Sequence, residues 1–351
     1  VLVTGGAGFA GSHIASRIKA TYPEATVVAL DNLKRRGSEL ALPRLRAAGV
    51  VFQHADIRCQ EDLVAIKECD LIIDCAAEPS ALAGLDGNPN YVITTNFNGT
   101  INCLEVARRT GARCIFLSTS RVYPVENINS MQYTEDESRF ELSHHQTLQG
   151  ASAAGVAESF PLDGARTLYG ATKLASELFI QEYAEAFNVH SIINRCGVLT
   201  GPWQMGKVDQ GVIVLWIAKH IFKGELGYIG FGGSGKQVRD LLHIDDLVDL
   251  LLIQISRFNE LCGETFNVGG GREVSVSLRE LTALCSEITG NTIPVRRTTE
   301  DRPGDVRLYL TDSRKVMQRL DWKPRRSVHD IVQQISDWIV SNEGELRPIL
   351  S

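Results

Sequence analysis

The chain has 351 residues, enough to bury a large core, and its 44% hydrophobic and 22% charged content is that of a globular protein, which excludes disordered, collagen-like and coiled-coil classes. A formal charge of -6 gives no electrostatic reason to expect nucleic acid, and basic residues are scattered apart from the short run Lys34, Arg35, Arg36. The apolar run GVIVLWIA at 211–218 is far below the roughly 20 residues of a membrane span, so no membrane segment is expected.

From the start to about residue 120, short apolar runs alternate with longer amphipathic stretches. Val1–Val3, Thr26–Leu30, Val50–His54, Leu71–Asp74 and Cys114–Leu117 read as strands, with helical patterns at about 10–20, 39–47, 60–68 and 89–109. This alternation with short links predicts an α/β fold, a doubly wound parallel sheet of the Rossmann type with helices on both faces. Residues 125–166, rich in Ser, Gln, Glu, Gly and Ala, break the rhythm and read as one long loop. His144 and His145 fall in it as solvated side chains, and no metal site is expected. A helix over 168–187 and a strand, HSIINR, follow. The remainder mixes helices and short strands with two Gly-rich turns, GFGGSGK and NVGGGRE. It reads as a smaller mixed α/β substrate-binding lobe that closes over the carboxyl edge of the sheet. The expected division is a dinucleotide-binding domain over 1–195 and a lobe over 196–351, with segments returning to the sheet. Eight Cys without a C-x-x-C pair predict reduced thiols in a cytoplasmic protein, with neither zinc nor a disulfide framework. The chain opens without Met on the strand-like VLVTGG, so preceding residues are expected, and nothing in it resembles a signal peptide.

The first turn carries the first chemistry. VLVTGGAGFAGSH sets Gly5, Gly8 and Gly11 between a strand and a helix. A tight turn, close approach of backbone to a pyrophosphate and close helix–sheet packing each demand a missing side chain, and the helix amino terminus favours the phosphate charge. The second strand ends in Asp31, at the spacing where a carboxylate accepts the adenosine ribose hydroxyls and repels a 2'-phosphate, which predicts NAD over NADP. Lys34, Arg35 and Arg36 could soften that preference.

In TLYGATK, Tyr169 and Lys173 are four apart and share one helix face; no other Tyr of the chain has Lys four residues on. A phenol with a reference pKa near ~10 is a poor base, and a nearby ammonium with a positive nicotinamide ring lowers it. Tyr169 is thus a candidate to take a sugar hydroxyl proton as hydride leaves, with Lys173 positioning it and the nicotinamide ribose. In LSTSRVYP, at the end of the fifth strand, Ser118, Thr119 or Ser120 would hold the substrate oxygen opposite Tyr169.

Gly5, Gly8, Gly11, Asp31, AD at 55–56, CAAEPS, TTNFNGT, STSRVY, YGATK, NRCGVLTGP, GKQVRDLLHIDD and RPGDVR occur in an order that resembles the extended short-chain dehydrogenases/reductases acting on nucleotide sugars. Within that family the chain looks most like the CDP-tyvelose (CDP-paratose) 2-epimerases, through Thr119, VDQGV at 208–212 and GSGKQVRDLLH at 233–243. The resemblance implies Thr119, Tyr169 and Lys173 as catalytic. It implies Gly5, Gly8, Phe9, Ala10, Gly11, Asp31, Asn32, Asp56, Ile57, Ala76, Ala77, Asn96, Ser118, Tyr169, Lys173 and Cys196 around NAD, with Asp56 and Ile57 at the adenine, Ala76 and Ala77 at the pyrophosphate and Asn96 supporting the fourth helix. For the nucleotide-diphosphate sugar it implies Val198, Gln210, Arg239, Arg302, Asp305 and Tyr309, the two arginines suiting a diphosphate as planar bidentate cations. Val198 stands where many members have Asn, and Cys75 where His is common. Family dehydratases carry Asp-Glu after the Thr; here Ser120 and Arg121 follow, and Arg is neither acid nor base at neutral pH. The expected reaction is therefore epimerisation through a transient ketosugar, with cofactor regenerated each cycle. C2 is favoured by subgroup, with a UDP- or GDP-sugar 4-epimerase or a non-catalytic NAD-binding regulatory protein as alternatives. A homodimer through the helices at 89–109 and 168–187 is expected on the same ground.

Overall fold

A computed structural model describes residues 1–85, 87–206 and 210–351. They form two compact units, each of three segments: 1–122, 168–195 and 247–266 in the first, 123–167, 196–246 and 267–351 in the second.

The large sheet has seven strands: β1 (Leu2–Thr4), β2 (Val28–Asp31), β3 (Val51–His54), β4 (Leu71–Asp74), β5 (Arg113–Thr119), β6 (Ser191–Cys196) and β7 (Thr265–Val268). Their order is β7-β6-β5-β4-β1-β2-β3, and β1 runs parallel to both β2 and β4, as do β2 with β3 and β4 with β5. Every residue of β4 and β6 is buried, as strands covered on both faces should be, whereas β3 at the edge exposes its ends. The order reverses at β1, so the turn that leaves β1 lies at the switch point where open α/β sheets bind ligands. Leu2, Leu30, Ile57, Ile72, Leu104, Phe116, Ile180 and Ile193 build one core on this sheet.

The structure corrects three expectations. The helix expected over 60–68 ends at Val64. The one expected over 89–109 is broken into Asn90–Ile93, a five-residue π turn Thr94–Asn98, and Gly99–Thr110. A π turn takes one residue more than an α turn, and hydrophobic periodicity does not resolve one. The loop expected over 125–166 holds a helix, Val125–Asn129, and two antiparallel pairs, Tyr133–Glu135 with Phe140–Leu142 and Ala151–Ser152 with Gly155–Val156. Strands of two or three residues are too short to show alternation.

In the second unit Val238–His243 is the central strand, parallel to Val198–Thr200 and Leu308–Tyr309 and antiparallel to Ser275–Ser277. The helices Val212–Ile221, Leu278–Thr289 and Val328–Ser341 pack on one another. The latter two start in reciprocal capping boxes, Ser277 with Glu280 and Ser327 with Asp330. Among the described residues no helix is long and apolar enough to cross a membrane. None of the eight cysteines forms a disulfide, and Cys59 and Cys262 are exposed.

Candidate active site

At the turn after β1, Gly5 has φ +60°, and a Cβ on it would lie 2.9 Å from Ala76 Cα; one on Gly11 would lie 2.2 Å from the Gly5 carbonyl oxygen. The helix Phe9–Thr21 follows with Gly8 as its N-cap, without a capping side chain and without an acid in its first turn. The leading N–H groups, those of Phe9 and Ala10 among them, are thus offered to an anion. Asp31 at the end of β2 accepts from the Ala7 amide at 3.0 Å and the Leu33 amide at 2.8 Å, while burial pushes its carboxyl above the ordinary value. Asn32 donates to Asp56 at 3.0 Å. The Arg58 guanidinium beside Asp56, with its Nε at 3.0 Å, holds that carboxyl well below the usual range. Ile57 is buried, and its carbonyl accepts from Asn102 at 2.8 Å. Of the basic run near Asp31, Lys34 puts its Nζ 3.5 Å from the centroid of the Tyr91 ring.

Beyond β4, the amides of Cys75 and Ala76 donate to Thr4 Oγ1 at 3.1 and 3.2 Å, and Thr4 donates to the buried Asp74 at 2.7 Å. The Ala76–Ala77 segment is thereby tied to β1. Asn96, fully buried in the π turn, accepts from the Glu78 amide at 2.7 Å and donates to the Glu78 carbonyl at 3.1 Å and Thr172 Oγ1 at 3.2 Å. It therefore braces the loop after β4 and the helix Leu168–Phe187.

Strand β5 ends in Ser118 and Thr119, both buried. Thr119 Oγ1 accepts from the Arg121 amide at 3.2 Å. Tyr169 is in the first turn of Leu168–Phe187, where its carbonyl accepts from Thr172 at 2.8 Å. Lys173, one turn on, is 1% exposed and sets its Nζ 3.9 Å from the ring centroid of Phe116 in β5. The Tyr–Lys helix thus packs on the strand that ends in Thr119. Two residues were missed by the sequence reasoning. Glu177 accepts the Ser118 hydroxyl and forms a buried fork with Arg195 of β6, the shortest N–O distance being 2.7 Å. The available signal was a further step of four after Tyr169 and Lys173, and the Arg of NRCGVLTGP. Cys196 follows Arg195 and is buried.

In the second unit Arg239 donates to Asp305 Oδ1 at 2.9 Å and to the Val306 carbonyl at 2.6 Å. The Asp305 amide donates to the Arg302 carbonyl at 3.1 Å, closing a turn. Tyr309 is the strand partner of Arg239 and is buried, its ring stacked 6.5 Å from that of Tyr123. The fold therefore gathers Arg239, Arg302, Asp305 and Tyr309. Val198 pairs further along the same strand, with Leu241. The buried side-chain oxygen of Gln210 has no hydrogen-bond partner among the described residues, and Val208 and Asp209 of the VDQGV motif lie outside them. Beside Arg239, Asp240 is fully buried, accepts from the Gly271 amide at 3.1 Å, and is pushed up to about 6 by burial. His144 and His145 are exposed, and among the described residues no group of three or more His, Cys, Asp or Glu could hold a metal.

The model of the NAD dependent epimerase/dehydratase family matches residues 1–269. The chain belongs to that family. It is 31% identical to CDP-paratose 2-epimerase of Salmonella typhi over 97% of this chain and 99% of the relative. It is 26% identical to dTDP-glucose 4,6-dehydratase of Salmonella typhimurium over 97% and 93%. Among solved structures, dTDP-glucose 4,6-dehydratase of Streptomyces venezuelae with NAD bound matches with a TM-score of 0.80 and 27% identity, covering 99% of each chain. UDP-glucuronic acid 4-epimerase of Bacillus cereus, at 22% identity, shares the fold with a TM-score of 0.80 over 97% and 99%. This member of the epimerase/dehydratase family is an NAD-dependent enzyme of the nucleotide-sugar type. Its own residues fit that cofactor: the Gly5–Gly11 cradle, which a Cβ would fill, opens onto an uncapped helix start, with Asp31 at the neighbouring strand end.

Proposed function

We propose that the protein epimerises a CDP-activated sugar at C2, the first unit binding NAD and the second the nucleotide diphosphate. One observation carries epimerisation over dehydration: Ser120 and Arg121 follow Thr119, so the acid and base that eliminate water are missing from that position. CDP and C2 are supported by the 31% identity to CDP-paratose 2-epimerase over nearly the whole chain. A 4-epimerase is the second reading, favoured by 29% identity to the putative UDP-glucose 4-epimerase of Methanocaldococcus jannaschii.

NAD, when bound, supplies the hydride acceptor and donor. Thr119 would hold the sugar oxygen, and Tyr169 would take its proton and later return it. Lys173, one helical turn from Tyr169, would favour phenolate and hold the nicotinamide ribose. Arg239 and Arg302 would clamp the diphosphate, with Asp305 and Tyr309 at the ribose and phosphate. The test is incubation with CDP-, UDP- and GDP-sugars deuterated separately at C2 and C4, with product stereochemistry read by NMR. Inversion at C2 of a CDP-sugar, with an isotope effect only from C2 and no accumulation of NADH, is expected; an isotope effect only from C4 overturns the choice of carbon.

We also propose a homodimer. Leu178, Phe179 and Phe187 of Leu168–Phe187 and Ile93 beside the π turn are exposed apolar side chains, and Phe97 meets Phe179 edge to face at 5.1 Å. Solution mass should be twice that of the chain and fall to one chain in Phe179→Asp; a monomeric wild type overturns this. Because none of the eight cysteines forms a disulfide, we place the protein in the cytoplasm.

A further inference from the structure

Ser118, Glu177 and Arg195 come from three different elements, β5, the helix Leu168–Phe187 and β6, and are 4%, 1% and 6% exposed. Arg195 donates to Glu177 through Nε at 3.0 and 3.2 Å and through a terminal nitrogen at 2.7 Å, and Ser118 donates to the same carboxylate. Burying two charges costs desolvation that well-packed apolar side chains would avoid, so such a pair is weak evidence for stability and invites a search for another role. The role suggested by position is geometric. Glu177 lies four residues beyond Lys173 and eight beyond Tyr169, so the three follow one side of the helix. Ser118 immediately precedes Thr119. The Ser118–Glu177 hydrogen bond therefore joins the element carrying Tyr169 and Lys173 to the residue next to Thr119. With its proton given to Glu177, the Ser118 hydroxyl is engaged inside the unit.

We infer that Glu177 and Arg195 are positioning residues, which act through Ser118 to set the separation between the Thr119 hydroxyl and the Tyr169 phenol. Arg195 holds Glu177 in orientation, Glu177 holds Ser118, and Ser118 fixes the end of β5. The inference rests on the epimerase reading. Because misplacing reacting groups by about 1 Å can cost 10²-fold, cutting the tie should act on turnover before affinity.

The experiment compares the full chain, as purified with NAD, with Ser118→Ala and Ser118→Thr on a nucleotide sugar that the wild type epimerises. Ser118→Ala leaves the Glu177–Arg195 fork in place; kcat should fall about 10- to 100-fold with KM within about twofold and NAD per chain unchanged. Ser118→Thr retains the hydroxyl and should recover kcat to within about threefold. If the Ala variant yields no folded protein, Ser118→Cys, of similar volume and weaker donor strength, should show the same split. Unchanged kcat in Ser118→Ala, a loss explained by missing NAD or raised KM, or failure of Thr to rescue overturns the inference while the epimerase reading stands. A wild type that epimerises no nucleotide sugar overturns both.

Discussion

Each unit holds an arginine–carboxylate pair, and the two are built differently. Arg195 and Glu177 in the first are 7% and 1% exposed by side chain and are forked through Nε and a terminal nitrogen; Arg239 and Asp305 in the second are 19% and 21% exposed, a terminal nitrogen lying 2.9 Å from the carboxylate. A sealed pair cannot trade partners without stranding a charge in low dielectric. A half-open one can, because water compensates the carboxylate that is left behind. The difference teaches that position in a motif does not tell a sealed pair from one that solvent reaches, whereas burial does.

Four measurements sharpen or break this contrast. The first unit should carry chemistry: Tyr169→Phe is expected to lower kcat about 10³-fold while NAD remains bound, and unchanged turnover removes Tyr169 from the mechanism. Glu177→Ala strands the Arg195 cation and should cost roughly 3–5 kcal/mol in denaturant unfolding. A cost no larger than that of Arg239→Ala would erase the distinction between the pairs. Next comes Asp240, whose carboxyl is raised from 3.8 to about 6 in the folded protein. The folded state then binds a proton more tightly than the unfolded one, so this group's contribution is full below pH 3.8 and lost as pH rises through about 6. The wild type should lose roughly 3 kcal/mol relative to Asp240→Asn across that window in unfolding curves taken at successive pH values. The smallest effect belongs to the half-open pair. Arg239→Ala should raise KM for the nucleotide sugar at least about tenfold, near the value of one charged hydrogen bond, with kcat nearly kept. A fall in kcat with KM unchanged would move Arg239 out of the binding role.

The first unit was the more legible. Runs such as LIID and VALD are apolar because parallel strands are covered on both faces, and they appear in the structure within one or two residues of where the pattern sets them. Leu168–Phe187 is a helix over the expected residues. Asn96 was assigned to its helix, but not the π turn that aims its amide at Glu78 and Thr172. The extra residue of that turn is stabilised by side chains from distant segments, which no local window contains. Residues 123–167 were the least legible, since their strands of two or three residues are defined by partners and not by propensity.

The alternation of apolar runs with amphipathic stretches, the order of glycines, the Asp at the end of β2 and the Tyr–Lys step of four are local facts, and with the further motifs along the chain they pointed to the fold class, the cofactor and the family. What the tertiary structure decided is which polar side chains serve the interior. Ser118 turned to Glu177, Thr4 gathered the Cys75 and Ala76 amides, and Asp240 went fully under cover. Burial and long-range pairing assign these roles, because the free energy of a polar group depends on what surrounds it in space and not on its neighbours along the chain.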